Sequence, residues 1–582
     1  MTVPAFLDVA SSLTGRRWTG PDAAQDRLAE AIAQETRLPL PLCRILAARG
    51  VTPDGAEAFL APTLKELLPD PRSLRDMEKA ARRFLAAVAA RERIAVFADY
   101  DVDGGASAAL LIVWLRALGH EATLYIPDRI DEGYGPNIPA MQGLAENHSL
   151  IVCVDCGTLS HDPVAAAAPA DVIILDHHLA TETLPAAHAV VNPNRQDEDG
   201  SLAHLCAASV VFLMLVEANR QLRETGAQTP DLMSLLDLVA LATVADVAPL
   251  TGVNRALVRQ GLKVMARRER PGLRALADVA RMDTAPTAYA LGFLLGPRVN
   301  AGGRIGQADL GARLLATADD REAAALAHRL DQLNSERREI TERVREEALA
   351  QAEARGTDAP LVWAAAEGWH PGVVGIVAAR LKEATGRPSI VIGFEGGLGK
   401  GSGRSVHGVD LGASVQRVAA EGLLIKGGGH KMAAGLTVAQ DRLEEAMARL
   451  SALLARQGAG EAGPQELRID GLLMPQAATL HLAEQIESAG PFGASAPAPR
   501  FALPGVTLTA RRFGESHLRL SVRNPGGQPL EAVAFGAFDG PLGPALESTG
   551  SRPFHLAGKI EVNTWGGRSR VQLRLDDAAP AI

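Results

Sequence analysis

The sequence predicts an α/β protein: a parallel-sheet domain, a long helix leading to a second α/β domain, and a small terminal β domain. Three observations predict it. Short β-rich apolar runs alternate with Ala- and Leu-rich stretches from Arg93 to about residue 250, the pattern of βαβ units. Leu326, Leu330, Leu333, Arg337, Ile340 and Val344 then recur at spacings of four and three, with Glu336, Arg338, Glu339, Glu342 and Arg343 between them, which reads as a long helix with a narrow apolar seam. Beyond a loop at 457–464 the period changes to two, the period of strands.

Taken in order, residues 1–80 read as helices and loops, broken at Pro53, Pro62 and Pro69. A first domain at 81–325 carries the runs IAVF (94–97), ATLYI (122–126), LIVCV (150–154), VIIL (172–175) and AVVN (189–192), followed by helices interrupted by Gly and Pro. A connector helix is expected at 326–356. A second α/β domain at 357–456 carries LVWAAA, SIVIGF and a glycine-rich segment. In the last domain, 465–578, Arg519, Ser521 and Arg523 alternate with Leu518, Leu520 and Val522, and Arg568, Arg570, Gln572 and Arg574 alternate with Ser569, Val571, Leu573 and Leu575. An antiparallel barrel or sandwich fits. Its arginine faces suit either a solvated surface or the backbone of a single nucleic-acid strand. Phe513, Phe535, Phe538 and Trp565 either stack on bases or fill the barrel.

With 582 residues, three to five structural units are expected. A hydrophobic share of 47% and a charged share of 22% describe an ordinary globular composition. The net charge of −9 excludes a generic polyanion-coating protein but leaves room for a nuclease rich in carboxylates. Four cysteines are too few for a disulfide framework and point to a reducing, cytoplasmic setting. MTVPAFLDVASSLTGRRW lacks the pattern of a secretory leader, and no apolar run reaches membrane-spanning length. Cys153 and Cys156 form a C-x-x-C with no second pair, straddling Asp155, so zinc or redox use is the weaker reading.

The chemistry concentrates at strand ends. In FADYDVDGG (97–105), Asp99, Asp101 and Asp103 follow an apolar run; if extended geometry continues, the three carboxylates share a face. An EF-hand is excluded, because its twelfth position is Leu110 and a strand precedes the motif. LIVCV ends in Asp155, VIIL ends in Asp176-His177-His178, and the apolar LATVA precedes Asp246. Four such clusters are expected at the carboxyl edge of one sheet, where ligands bind in open parallel sheets, although any one Asp there could be a helix cap. Two carboxylates 4 Å apart repel by about 4 kcal/mol at an effective dielectric near 20, so the group requires cations. Carboxylates with one or two imidazoles suit two Mn²⁺ or Mg²⁺ ions, an arrangement that hydrolyses phosphoesters. GGLGKGSGRS is no P-loop, since Gly401 follows Lys400 and Phe394 stands at the first glycine position; it reads as a flexible loop or as a phosphate cradle using Ser402 and Arg404.

In order, D-x-D at 101–103, Asp155, DHH at 176–178 and Asp246 resemble the four motifs of the DHH phosphoesterase superfamily. YIPDRIDEGYG (125–135), LVALATVADVAPL, GPRVNAGGRI (296–305), GWHPGVVGIVAARL (368–381), GSGRS (401–405) and GGGHKMAAGL (427–436) are similar to its single-strand exonuclease branch, so the resemblance spans about residues 90–440. It implies a DHH domain, a DHH-associated domain and a terminal oligonucleotide-binding (OB) fold. It also implies a two-metal exodeoxyribonuclease of DNA repair and recombination that degrades single-stranded DNA 5′→3′ to 5′-mononucleotides. By resemblance, Asp101 and Asp155 hold one metal, which Asp99 completes. Asp103, Asp155, His177 and Asp246 hold the other, and Asp176 and His178 orient substrate, His178 counting among the catalytic residues. Arg298, Asn300 and Arg304 lie near substrate phosphates, His370 and His430 serve the associated domain, and Arg129, Arg298, Ser402 and Arg404 grip the 5′-phosphate. Single-strand selectivity is expected from a narrow channel between the α/β domains. A single-strand-binding protein and a helicase are the implied partners, no membrane is involved, and the self-contained layout suggests a monomer. The alternatives are a phosphoesterase of oligoribonucleotides or cyclic dinucleotides, and an inactive single-strand-binding scaffold. Phe97 stands where the superfamily's pyrophosphatase branch carries His, and Val102 and Cys156 replace an expected Ala and Asn.

Overall fold

Runs that are apolar at every position form strands buried on both faces, and here they assemble one sheet. The computed structural model describes residues 4–129, 131–460, 465–524, 527–548, 550, 552–565 and 568–581. In it, five parallel strands lie in the order Ala122–Tyr125, Ile94–Ala98, Leu150–Val154, Asp171–Leu175 and Ala189–Val191. Ile94–Ala98 and Leu150–Val154 are buried throughout, which is why they show continuous apolar runs and no alternation. Phe97 lies inside, stacked on Tyr125 with ring centroids 5.3 Å apart.

At the strand ends the helix-cap reading holds for Asp101, and the expectation for Asp246 fails. The chain does not stay extended through Asp103: Asp101 caps the helix Val102–Ala117, its Oδ1 accepting from Asp103 N at 2.8 Å and Gly104 N at 3.2 Å, so Asp103 sits in the first helical turn. A short acidic side chain before a glycine pair satisfies the free amides of a helix start better than it continues a strand. Nor does Asp246 end a fourth strand of that sheet. It caps the carboxyl end of the buried helix Leu236–Ala245, whose apolar run is too long for a short strand.

The connector helix runs Asp320–Arg355, starting earlier than its apolar seam because Asp319 caps it by accepting from Arg321 N and Glu322 N. Leu326, Leu330, Leu333, Val344, Ala348 and Ala352 are its buried seam. It leads to a second sheet, ordered Lys426–His430, Ala433–Ala439, Leu398–Arg404, Ser389–Glu395 and Val362–Glu367, of which only the last two strands pair in parallel. The glycine-rich segment is a strand of this sheet and no flexible loop. A Cβ on Gly401 would stand 2.8 Å from Ile392 and one on Gly403 2.7 Å from Leu411, so glycine admits the core beneath.

By chain contacts the protein divides into two units: Pro69–Ala248 with Leu257–Ala462, which holds both α/β sheets, and Met1–Leu68 with Pro249–Ala256 and Gly463–Ile582. In the latter, strands Phe501–Phe513, His517–Arg523, Leu530–Ala534, Arg568–Pro580 and Phe554–Trp565 follow one another, and pairing of the first with the last closes a barrel. Phe501, Leu503, Leu518, Leu520, Val522, Leu556 and Leu573 fill it. The N-terminal residues belong to this barrel's unit: Arg17–Thr19 pairs in parallel with Glu466–Arg468, and buried Trp18 donates its Nε1–H to Asp577 at 2.9 Å. Phe538 packs against the barrel core under Arg512, while Phe535 is 55% exposed beside Phe513, His517 and Arg574. The side chains of Trp565 and Arg568 and the linker residues 461–464 lie outside the described residues. Among the described residues, no helix is long and apolar enough to cross a membrane.

Candidate metal centre and phosphate site

Three acids extend the parallel ladder by one residue each. The amide of Asp99 donates to Val154 O at 3.4 Å, that of Asp155 to Leu175 O at 3.0 Å and that of Asp176 to Val191 O at 3.1 Å. Asp155 then turns with φ 59° and Gly157 with φ 107°, which sets the Asp155 carboxylate across the sheet edge; Asp tolerates this region better than most residues.

His177 and Asp155 stand at the middle of the resulting group. His177 Nε2 is 3.3 Å from Asp155 Oδ1 and 3.8 Å from Asp103 Oδ2, and its Nδ1 is 3.9 Å from Asp246 Oδ2. Ligand-type atoms lie within 4.8 Å of one another in three sets: Asp99, Asp101 and Asp155; Asp103, His177 and Asp246; Asp155, His177 and His178. Asp103 has a second task. Its oxygens accept from Ala207 N at 2.7 Å and Ala208 N at 2.8 Å, capping the helix Ala207–Glu224 from a distance in sequence. Asp176 belongs to none of these sets. It accepts from the amides of Thr158, His177 and His178 and from His178 Nδ1 at 2.8 Å.

Electrostatics set these groups apart. Burial, then the charge of Asp101, pushes Asp99 well above the carboxylate range; burial with Asp103, Asp101, Asp99 and Asp176 does the same to Asp155. Burial and Asp103 raise Asp246 to about 8. Burial works against Asp176 as well, but hydrogen bonds from His178 and Thr158 and the histidine charge hold it below the usual range. Burial likewise opposes the charge on His178, yet the Asp176 hydrogen bond raises it to about 9. Two buried oxygens, Asp99 Oδ1 and Asp155 Oδ1, have no hydrogen-bond partner. Buried carboxylates that repel one another and lack donors are stable only beside cations, and a donor set of oxygens with one or two imidazoles fits hard divalent ions.

A cationic cluster adjoins this group through Tyr100. The Arg129 guanidinium lies 5.2 Å from the Tyr100 ring centroid, and a Cβ on Gly303 would stand 2.5 Å from Tyr100 O, so Arg304 follows a close contact with the metal-centre loop. Arg304 donates to Gly372 O at 3.1 Å and is lowered to about 10 by burial, then by Arg129 and Arg337. Arg404 donates to Ser402 Oγ at 3.0 Å and Gly403 O at 2.8 Å; burial and Arg129 lower it, and they lower His370 too. Among the described residues none of Arg129, Arg304, Arg337 and Arg404 forms an ion pair, and Arg337 Nε is buried without a partner. Half-buried guanidinium groups that form no ion pair are suited to an anion.

Three family models match the chain: the DHH family, N-terminal domain, over residues 93–243, the DHHA1 domain over 358–456, and the RecJ OB domain over 469–577. The single-stranded-DNA-specific exonuclease RecJ of Dickeya dadantii is 39% identical over 564 residues, covering 93% of this chain and 96% of that protein. The chain belongs to the RecJ family. Two crystal structures of RecJ from Thermus thermophilus are similar throughout: the complex with Mn²⁺ at 30% identity and TM-score 0.79, covering 96% of this chain and 79% of that one, and the complex with Mg²⁺ at 29% identity and TM-score 0.73, covering 97% and 78%.

Within this RecJ fold, not every residue singled out in the sequence has a free side chain. Arg298 is ion-paired with Asp331 at 2.9 Å and also donates to Leu294 O. Asn300 Oδ1 accepts from Val102 N at 3.0 Å, so it braces the loop bearing Asp101. His370 caps the helix Pro371–Thr385 through Gly372 N, and His430 is exposed at the end of an edge strand. Several participants escaped the sequence reading. The Tyr134 hydroxyl donates to Asp155 O at 3.0 Å and stands 3.1 Å from His178 Nδ1. Asn192 Nδ2 donates to His178 O at 2.8 Å and Asn194 Nδ2 to His177 O at 2.6 Å, pinning the DHH backbone. Their available signal was the N-P-N triplet just past a strand of the same sheet.

Proposed function

We propose that this chain is a divalent-cation-dependent exonuclease that hydrolyses single-stranded DNA from its 5′ end to 5′-mononucleotides. One observation carries the reading: carboxylates and guanidinium groups that form no ion pair with one another both adjoin Tyr100. A phosphodiester chain accompanied by divalent cations neutralises both, and neither a free anion nor a free cation does so alone.

Asp99, Asp101 and Asp155 would hold one Mn²⁺ or Mg²⁺, and Asp103, His177 and Asp246 a second, with Asp155 adjoining both sets. When bound, such ions supply charge neutralisation at the phosphorus and activation of a water nucleophile. The protein's own groups do the rest. Asp176 holds the His178 ring through Nδ1 at 2.8 Å, which fixes the orientation in which it would meet a phosphate oxygen. Tyr134 and Asn192 keep that ring and its backbone in place. Arg129, Arg304, Arg404 and Ser402 grip the terminal 5′-phosphate, whose second charge gains more from three guanidinium groups than an internal phosphodiester does. That difference sets which end enters. The exposed Phe535, with Phe513, His517 and Arg574, gives the OB barrel a stacking and charge surface for the rest of the strand. Single strands exposed by a helicase and coated by a single-strand-binding protein, in the cytoplasm, would be its working substrate, with the chain acting as a monomer.

The test uses a 3′-labelled single strand with either a 5′-phosphate or a 5′-hydroxyl, in Mn²⁺. Stepwise shortening from the 5′ end, faster with the phosphate and abolished in Asp155→Ala and His177→Ala, is expected. Endonucleolytic products, or loss of nucleotides from the 3′ end, would refute the proposal.

A further inference from the structure

Several of the large apolar side chains that the DHH domain leaves exposed touch metal-centre residues or follow them in sequence. Tyr134 touches Asp155 and His178, Leu159 lies just past Asp155, Leu179 follows His178 and Val247 follows Asp246; with Tyr289 and Phe293 these side chains are between 52% and 70% exposed. Tyr289 and Phe293 stack on each other, ring centroids 4.8 Å apart and planes at 24°. They project from helical turns that press on the helix capped by Asp246: a Cβ on Gly292 would stand 3.4 Å from Val244 Cγ1, and one on Gly296 3.3 Å from Ala245 Cβ. The same helical run continues to Asn300, which braces the Asp101 loop. Phe293 is therefore about 10 Å along the helix from Asn300, at 1.5 Å per residue.

We propose that Tyr289 and Phe293, with Val247 just past the end of the helix their turns press on, form a platform on which an unpaired base near the scissile phosphate stacks. This rests on the nuclease reading above and adds a second source of single-strand selectivity to it. Leaving two aromatic rings and a β-branched side chain in water is unfavourable by roughly 25 cal/mol per Å² of apolar surface, and nothing charged among them would attract an acidic or basic peptide. A strand whose phosphate lies at the carboxylate cluster must put its base and sugar against whatever flanks Asp246, and every base offers a π-face that such a ring can cover. Bases in a duplex are already stacked on both faces, so a platform of this kind discriminates against paired ends without reading base identity.

Steady-state cleavage separates this from a structural role. The substrates are a 5′-phosphorylated single strand and the same strand with tetrahydrofuran abasic sites at its first four positions, both in Mn²⁺. For the intact strand, Tyr289→Ala/Phe293→Ala is expected to raise KM at least tenfold with kcat little changed, given the usual contribution of a stacked base. Tyr289→Phe restores the wild-type KM. On the abasic strand, wild type and double variant are expected to share the same high KM, and continued cleavage of it shows that the variant is folded. Equal KM values of the wild type for both strands, or an equal KM rise on both in the variant, overturn the platform while leaving the nuclease intact. Failure of the wild type to cleave either strand overturns the nuclease reading and the platform with it.

Discussion

Arg304→Met distinguishes an anion site from an ordinary structural arginine, because the two make opposite predictions for stability. Burial, then Arg129 and Arg337, lowers the guanidinium from 12.5 to about 10. At about 1.4 kcal/mol per tenfold, that is roughly 3 kcal/mol by which the folded protein disfavours the charge. A basic group lowered in the folded state is destabilising at every pH below its folded value, so the whole effect is present at pH 7 and fades only as pH rises through 10. Methionine keeps the apolar stem and removes the charge, at the loss of the hydrogen bond to Gly372 O, about 1 kcal/mol. A net gain of about 2 kcal/mol is expected in denaturant unfolding without divalent cations, shrinking as pH is raised above 10. The same variant should lose grip on substrate: one charge-assisted contact, about 1.5–3 kcal/mol, raises KM for a 5′-phosphorylated strand by about tenfold to a hundredfold and leaves a 5′-hydroxyl strand nearly untouched. Thymidine 5′-monophosphate should raise the melting temperature of the wild type more than that of the variant. A variant that is less stable and still discriminates 5′-phosphate from 5′-hydroxyl would refute the reasoning.

Four further substitutions test the geometry. Asp99→Asn, which removes a repelling charge whose Oδ1 has no donor, is expected to stabilise the metal-free protein and to reduce the melting-temperature rise on adding Mn²⁺, both read by calorimetry. Asp103→Ala, in contrast, uncaps Ala207 N and Ala208 N and should lower metal-free stability by about 1–2 kcal/mol; equal effects of the two substitutions would contradict the separate roles assigned here. Asp176→Asn frees the His178 ring and should lower kcat about tenfold to a hundredfold with KM within about twofold, while a pure KM effect would show that His178 binds and does not orient. Phe535→Ala should weaken binding of long strands by about 1–3 kcal/mol in a fluorescence titration and leave strands of a few nucleotides unaffected.

The parallel sheet was legible because its strands are buried on both faces and bounded by turn residues, so each apolar run announces one strand. Asp99, Asp155 and Asp176 were legible for the same reason, since each lies one residue past such a run. For Asp101 and Asp103 the sequence left a shared extended face and a helix cap both open, and the cap holds: side-chain capping by Asp101 competes with extension, and the winner depends on Gly104, where a Cβ would stand 2.4 Å from Asp99 O. Asp246 joins the expected cluster, but the element before it was misread, because LATVA is evenly apolar and carries no period to separate helix from strand. The partners of Arg298 and Asn300 lie far away in sequence, and no local pattern encodes them. The same holds for the parallel pairing of Arg17–Thr19 with Glu466–Arg468, which brings distant ends of the chain into one unit.

Tyr100 is the wall shared by the two charged clusters, and its surroundings explain why glycine stands on both sides of it. Gly104 lets the helix start close over Asp99, and Gly303 lets the helix bearing Arg304 close over Tyr100 itself. Larger residues would part the carboxylates from the guanidinium groups. At this separation each cluster is unfavourable alone: the acids are raised by one another and by burial, and the arginines are lowered by burial and by one another. Metal ions without DNA leave the arginines uncompensated, and DNA without metal ions sets its phosphates against the acids. The two ligands must therefore bind with positive coupling, and by linkage the coupling is equal in both directions. A strand end lacking its 5′-phosphate forfeits part of that coupling, so it should need a higher Mn²⁺ concentration for half-maximal cleavage, and the phosphate preference should narrow as Mn²⁺ approaches saturation.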